Sequence, residues 1–180
     1  MANIVLTGDT SGAITVAAPA VAGTNTITLP ATTSTIATTT DITGPAFSAY
    51  ATSGQNITTG TVTKVVYDSE DFDTNTNFAS NRFTPTVAGY YQINTALFCA
   101  GGSGGAAIYV YKNGALYFTL DRSALSGSFN VYLNGGCLVQ CNGSSDYLEI
   151  YVFQNSGGTL SFGNGSKDGC WFNGFLARKA

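Results

Sequence analysis

The strongest constraint on this chain is its periodicity: apolar residues nowhere repeat at helical spacing over a useful length, whereas short strand-like runs follow one another from Phe47 onward. The runs are Phe47–Ala51, Val62–Asp68, Tyr90–Phe98, Ala107–Lys112, Leu116–Leu120, Asn130–Leu133, Gly136–Gln140, Tyr147–Gln154 and Trp171–Ala177. Turn-forming residues separate them. Lys112-Asn113-Gly114 is the most explicit, because Asn-Gly accepts the positive φ values of a type I′ turn; Asn142-Gly143 and Gly157-Gly158 serve similarly. The pattern predicts an all-β domain, a sandwich or jelly roll. With 22 Gly, 10 Tyr and 11 Phe against 9% charged residues, the composition agrees.

Residues 1–44 read differently. They contain no aromatic residue, no Lys and no Arg, but carry the period-two couplets Ile4/Leu6, Ile14/Val16 and Ile27/Leu29, followed by a lone Ile36. Gly8-Asp9-Thr10-Ser11-Gly12, Pro19 and Gly23-Thr24-Asn25 fall between the couplets, which predicts a small β meander. So few large apolar side chains cannot offset the ordering entropy of an isolated segment, so it needs symmetry mates or a docking partner. The polar stretch ending in Gly44-Pro45 disfavours a continuing strand, and the junction between segment 1–44 and head 45–180 is placed there.

Several function classes are disfavoured. A net charge of −3 offers no basic surface for a phosphate backbone, so nucleic acid is not an expected partner. No run reaches the roughly 20 apolar residues of a membrane helix, and the amino terminus lacks the pattern of a signal peptide, so neither membrane insertion nor the ordinary secretory route is expected. Cys99, Cys137, Cys141 and Cys170 are therefore read as reduced thiols. On a strand, Cys137 and Cys141 would lie about 13 Å apart, beyond bridging distance. The absence of histidine removes the usual general base and the commonest transition-metal ligand. No catalytic, cofactor or metal residue is assigned, and the chain is not expected to be an enzyme.

Two acidic features invite chemistry. Asp68, Glu70, Asp71 and Asp73 offer oxygen ligands for calcium, but no EF-hand loop surrounds them, which favours a solvated loop. Glu149, inside Tyr147-Leu148-Glu149-Ile150-Tyr151, suggests the carboxylate of a glycosidase pair. Alternation places it with Tyr147 and Tyr151, so the simpler reading is an outward-facing strand residue, or part of a binding ridge. Gly101-Gly102-Ser103-Gly104-Gly105 lacks the Gly-Lys-Ser/Thr ending of a phosphate loop and reads as a flexible connection. Receptor contacts are expected from polar loops at the sandwich ends, at Asn142, Ser144, Asp146, Asn155, Asn164 and Lys167.

Residues 45–180 resemble the jelly-roll head shared by complement component 1q and the tumour necrosis factors, in the form found at the ends of phage fibres. The resemblance rests on Phe47-Ser48-Ala49-Tyr50, on Lys64-Val65-Val66-Tyr67-Asp68 and Phe72-Asp73-Thr74-Asn75-Thr76-Asn77-Phe78, on the run from Arg82 to Ile93 with its Phe-x-Pro-x-x-x-Gly-x-Tyr core (Phe83, Pro85, Gly89, Tyr91), on Tyr109-Val110-Tyr111-Lys112-Asn113-Gly114, and on the closing Trp171-Phe172-Asn173-Gly174-Phe175-Leu176. Segment 1–44 separately resembles modules at the start of phage tail-fibre and collar proteins, through Gly8-Asp9-Thr10-Ser11-Gly12, Ala17-Ala18-Pro19 and Thr26-Ile27-Thr28-Leu29-Pro30.

The resemblance implies a homotrimer, with Phe83, Pro85, Gly89, Tyr90, Phe172, Gly174 and Phe175 as its core and trimer motif. An excess of aromatic residues in the head points the same way, since aromatics are favoured at permanent interfaces. The expected protein is a phage tail fibre or spike, assembled in the host cytoplasm, whose residues 1–44 bind other virion proteins and whose head binds a host-surface glycan or protein. A capsid or neck decoration and a polysaccharide depolymerase are the alternatives.

Overall fold

The computed structural model describes residues 3–7, 11–17 and 44–180. The chain divides into two units, Met1–Ala37 and Thr38–Ala180. In the first, β1 (Asn3–Thr7) and β2 (Ala13–Ala17) form an antiparallel hairpin whose register sets Ile4 against Val16 and Leu6 against Ile14, so two of the sequence couplets pair. Leu6 and Val16 are more than half exposed. The third couplet, Ile36 and the 38–43 part of the junction lie outside the described residues.

The head is an antiparallel sandwich with the jelly-roll fold. One sheet is built on β9 (Gly89–Cys99), which pairs with β12 (Val131–Cys141) on one side and β15 (Cys170–Lys179) on the other. β15 in turn pairs with β3 (Ala46–Tyr50), and β3 with the edge strand β6 (Ser69–Asp73). The short strands β4 (Gln55–Ile57) and β14 (Leu160–Phe162) extend this sheet. In the second sheet, β10 (Ser103–Lys112) lies between β11 (Ala115–Ser126) and β13 (Leu148–Gln154). Three two-residue strands, β5 (Thr63–Lys64), β7 (Phe78–Ala79) and β8 (Arg82–Phe83), complete it.

Alternation decides which side chains meet between the sheets. From β9 these are Tyr91, Ile93, Leu97 and Cys99; from β13 they are Leu148, Ile150 and Val152. Phe47 is the hub. Its ring stacks on Phe83 with centroids 4.2 Å apart and meets the edge of Phe172 at 4.8 Å. Gly174 makes room for it: a Cβ there would lie 3.1 Å from Phe47 Cε1 and 3.0 Å from Gln92 O. No buried side-chain polar atom among the described residues lacks a partner. Thr95 Oγ1, for example, donates to Trp171 O at 2.7 Å.

Asn113 and Gly114 adopt φ of 55° and 78°, the type I′ turn expected between β10 and β11. Other boundaries differ from the sequence reading. Asn130–Leu133 and Gly136–Gln140 are one strand, β12, because Gly135 and Gly136 are not a turn but a place of close approach. A Cβ on Gly135 would sit 3.0 Å from Leu120 Cβ, and one on Gly136 would sit 2.4 Å from Asn94 Oδ1. Val62–Asp68 is a strand only at Thr63–Lys64; Val65 N still donates to Ile150 O, but from Val66 on side chains take over the hydrogen bonding, as Gln55 Oε1 accepts from Val66 N and Asn81 Oδ1 from Tyr67 N. Ser103–Gly105 belongs to β10 rather than to a flexible connection, and Ser123–Ser126 belongs to β11; the two segments pair, and Asn155 Oδ1 holds Gly105 N.

Gly174→Ala should destabilise the head by about 1–3 kcal/mol, since the added methyl group displaces the Phe47 ring or the Gln92 carbonyl. Denaturant unfolding of both forms checks this; an unchanged midpoint would remove the close-approach argument.

Candidate functional site

The ladders give the head two ends. The chain enters at Gly44, where Leu176 N donates to Pro45 O at 2.9 Å, and the last residue stays at the same end, with Ala180 N donating to Ala88 O. The Asn113-Gly114 turn and the 142–147 loop also lie there. Loops 100–102, 127–130, 155–159 and 163–169 gather at the far end, as the bonds Gly101 N to Asn130 Oδ1, Ala100 N to Ser161 O and Gly163 N to Phe98 O show.

The six loop residues expected to face a receptor are split between these ends. Asn142, Ser144 and Asp146 lie at the entry end. Asn142 Oδ1 accepts hydrogen bonds from the backbone N–H groups of Ser144, Ser145 and Asp146, so it shapes its own loop. Asp146 accepts from Asn113 Nδ2 at 2.7 Å, Lys112 Nζ at 2.9 Å and Asn142 N at 2.9 Å, which hold its carboxyl below the ordinary carboxylate range. Asn155, Asn164 and Lys167 lie at the far end. Asn155 lines a hollow of about 310 Å³ beside Gly104–Ala107, and Asn164 Oδ1 accepts from Ser166 N. Lys167 pairs with Asp71, and its Nζ stands 5.5 Å from the centre of the Tyr50 ring.

The motif residues also divide. Phe83, Pro85, Gly89, Phe172 and Gly174 are buried in the sandwich, whereas Tyr90 and Phe175 point outward and are 40% and 48% exposed. The tyrosine that enters the core is the next one, Tyr91, whose hydroxyl donates to Val87 O at 2.7 Å.

The acidic run does not converge on one point. Asp68 accepts from Thr52 N and Thr52 Oγ1, bonds that lower its pKa. Asp71 accepts from Lys167 and Ser48 and is likewise lowered, by the hydrogen bond from Lys167 first. Asp73 accepts from Phe78 N.

Glu149 departs most from its expected environment. It lies with Tyr151 on the face away from Leu148 and Ile150, yet it does not face solvent, and its side chain is only 3% exposed. Lys64 from β5 and Arg82 from β8 cover it. Glu149 Oε1 accepts from Lys64 Nζ at 2.7 Å and from Arg82 Nε and Nη2 at 3.0 and 2.9 Å, while the Tyr151 hydroxyl reaches Oε2 at 3.4 Å. The Arg82 guanidinium stacks 3.7 Å above the Tyr147 ring, and Tyr111 packs on Tyr151. Burial opposes ionisation of Glu149, but the hydrogen bonds and charges of Lys64 and Arg82 outweigh it and depress its pKa. The cluster therefore fastens two short strands to β13.

A second polar constellation occupies the far half of the outward face of the β9–β15 sheet. Trp171 stands between two hollows. One, of about 600 Å³, is lined by Ser48, Asp71, Lys167 and Asn173; the other, of about 470 Å³, by Asn94, Tyr132 and Asn134; Asp168 borders both. Ser166 Oγ hydrogen-bonds Asp168 Oδ1, and Asn94 Nδ2 donates to Asn173 Oδ1 at 3.2 Å. Of this set the sequence pointed to Lys167, as a loop contact, and to Asp71, as part of the acidic run. Alternation along β9 and β15 does show Asn94 and Asn173 pointing outward, but it does not show that they are register partners.

No family model and no curated protein matches the chain. Solved structures do. The globular domain of zebrafish complement 1qA superposes with a TM-score of 0.57 at 20% identity, over 76% of this chain and 99% of that one. Murine APRIL at pH 8.5 gives 0.54 at 11% identity, over 74% and 99%. Eiger TNF from S. frugiperda gives 0.55 at 8% identity, over 76% and 93%. The head therefore has the jelly-roll fold of complement 1q and tumour-necrosis-factor domains.

Glu149→Gln should destabilise the head by roughly 3 kcal/mol, the low end for breaking a buried pair because Lys64 and Arg82 can rehydrate. A depressed folded-state pKa means that the wild-type advantage is complete above the unfolded carboxyl pKa of about 4.3 and fades as pH falls through the folded value. Denaturant midpoints at pH 7 and below pH 4 check it; equal gaps at both would contradict the assignment.

Proposed function

We propose that this protein is a trimeric structural protein of a bacteriophage particle, a tail fibre or spike, whose head binds a receptor on the host surface while residues 1–44 attach it to other virion proteins. The observation that carries the reading is an uncovered apolar belt. Leu116, Tyr117 and Phe118 are each about half exposed although they point to both faces of β11, and Tyr90, Leu138 and Phe175 are exposed on the adjoining face. All six lie in the half of the head nearest the entry end, as the pairings Phe118 with Val110, Leu138 with Gln92 and Gln92 with Phe175 show.

An edge and a face at equal height suit a match from one copy to the next by rotation about an axis along the strands, the arrangement that forms a ring where the rotation closes. The jelly-roll fold and the phage-fibre resemblance favour three copies. The exposed Leu6 and Val16 of the amino-terminal hairpin support an attachment role, since the two strands described there bury little on their own.

Adhesion accounts for the head better than hydrolysis does. Glu149 is neutralised by two cations, no second carboxylate is among its partners, and its depressed pKa is the reverse of a general acid's requirement. The four cysteines are free, and burial pushes Cys99, Cys137 and Cys141 up to about 11 and Cys170 to about 12, which suits assembly in a reducing host cytoplasm.

Light scattering of the full chain should give the mass of three copies, and Leu138→Asp with Phe175→Asp should weaken association at least 100-fold, each lost burial being worth about 1.5–3 kcal/mol. Labelled trimer should bind host cells saturably and compete with infection. A trimer that binds no cell surface would overturn the receptor reading.

A further inference from the structure

We infer that the receptor ligand is an oligosaccharide carrying a carboxylate, and that its acidic ring sits in the hollow beside Arg122 on the outward face of the β10–β13 sheet. This rests on the receptor-binding reading and adds to it a ligand class and a place. Ala106, Ile108 and Val110 of β10 and Leu148, Ile150 and Val152 of β13 enter the core, so Ala107 and Phe153 point outward. Ala107 is the register partner of Arg122 on one side and of Phe153 on the other. Two strand spacings, roughly 9.5 Å, separate the cationic position from the aromatic one, with only the alanine methyl group between them. The next row repeats the plan, with Gly105 between Ala124 and Asn155. The result is a hollow of about 310 Å³, at the lower end of the roughly 300–1,000 Å³ of small-molecule sites and of a size for one sugar ring.

The free polar groups of the hollow are donors. Arg122 is exposed, and among the described residues its guanidinium pairs with no carboxylate. Asp121, one residue earlier, turns to β12 and accepts from Asn134 N at 3.1 Å, while Glu149, on the same face as Phe153, is held by Lys64 and Arg82. Asn155 commits Oδ1 to Gly105 N and leaves Nδ2 to donate. A planar guanidinium offers a carboxylate two parallel hydrogen bonds, and the half-buried Phe153 ring offers a flat platform to the apolar face of a pyranose. An extended acidic peptide fits less well. It would dock by adding a strand, and in this stretch β10 is already paired along both edges.

Position keeps the hollow clear of assembly. The apolar surface proposed to join the copies lies on the outward face of the β9–β15 sheet and on β11 at residues 116–118. The hollow is on the opposite side of the sandwich, in the far half, and none of the exposed large apolar residues lies on β10 or β13. A neighbour seated on the β9–β15 face therefore has the whole sandwich between itself and Phe153.

Full-length trimer is titrated by calorimetry with sialyllactose and digalacturonate, with their neutral counterparts lactose and galactobiose, and with a glutamate-rich peptide. The inference predicts saturable binding of at least one acidic sugar, its neutral counterpart being weaker by roughly 10-fold or more, the loss expected for a hydrogen-bonded charge. Arg122→Ala should weaken that binding by a similar factor, and Gly105→Val should block it by filling the floor, both at unchanged trimer mass and melting temperature. A Cβ on Gly105 meets nothing closer than Ser123 O at 3.5 Å, so the strand has room for it. Arg178→Ala, which removes a cation at the entry end, should leave binding unchanged. Binding that survives both Arg122→Ala and Gly105→Val, or that falls equally with Arg178→Ala, places the sugar elsewhere and overturns the site. Equal binding of the neutral counterpart overturns the class, as does tighter binding of the peptide. Trimer that binds host cells but neither acidic sugar overturns the inference and leaves the receptor reading standing, whereas failure to bind cells as well removes that reading too.

Discussion

The contact on which the head depends is the seating of the Phe47 ring against Gly174. It joins the first strand of the sandwich to the last, and through Phe83 and Phe172 it reaches both sheets. β3 and β15 can be hydrogen-bonded neighbours only where a bulky ring on one meets no side chain on the other. That adjacency fixes where the chain enters and leaves, and it aligns Trp171 with Tyr50 and Asn173 with Ser48 on the outward face. The far-half cleft is thus a by-product of core packing on the opposite side of the same strands.

Polar groups finish what the aromatic core starts. Short segments of the sandwich are also pinned electrostatically: β5 and β8 by Lys64 and Arg82 on Glu149, the latter in addition to the buried Phe83, and the entry-end loop by Asp146 on Lys112 and Asn113. A buried ion triad contributes less to net stability than to choosing one arrangement, because its desolvation offsets much of its attraction. Edge strand β6 carries Glu70, Asp71 and Asp73, charges that discourage a stray strand from pairing there.

Local chemistry made much of this legible in the sequence. Asn113-Gly114 announced its turn because two successive positive φ values leave few residue choices, and the long strands β9, β13 and β15 announced themselves by alternation. Glycine was misleading where its role was lack of bulk rather than freedom of φ: Asn134-Gly135 looked like a break, and Gly135 is a place of close approach to Leu120. Glu149 was assigned to the correct face and the wrong environment, since its cover comes from Lys64 and Arg82, 85 and 67 residues away. For the same reason the Trp171 cleft was invisible. Its lining comes from separate strands and a loop, and no spacing along the chain encodes a meeting across a sheet.

The antiparallel pairing of β3 and β15, with entry and exit at one end, has a mechanical meaning. A pull at Gly44 resisted at the far end acts along the axis of β3. Its ladder bonds to β15 and β6 are then loaded together, in shear, rather than opened one after another as in a zipper. A head pulled this way resists extraction of its first strand.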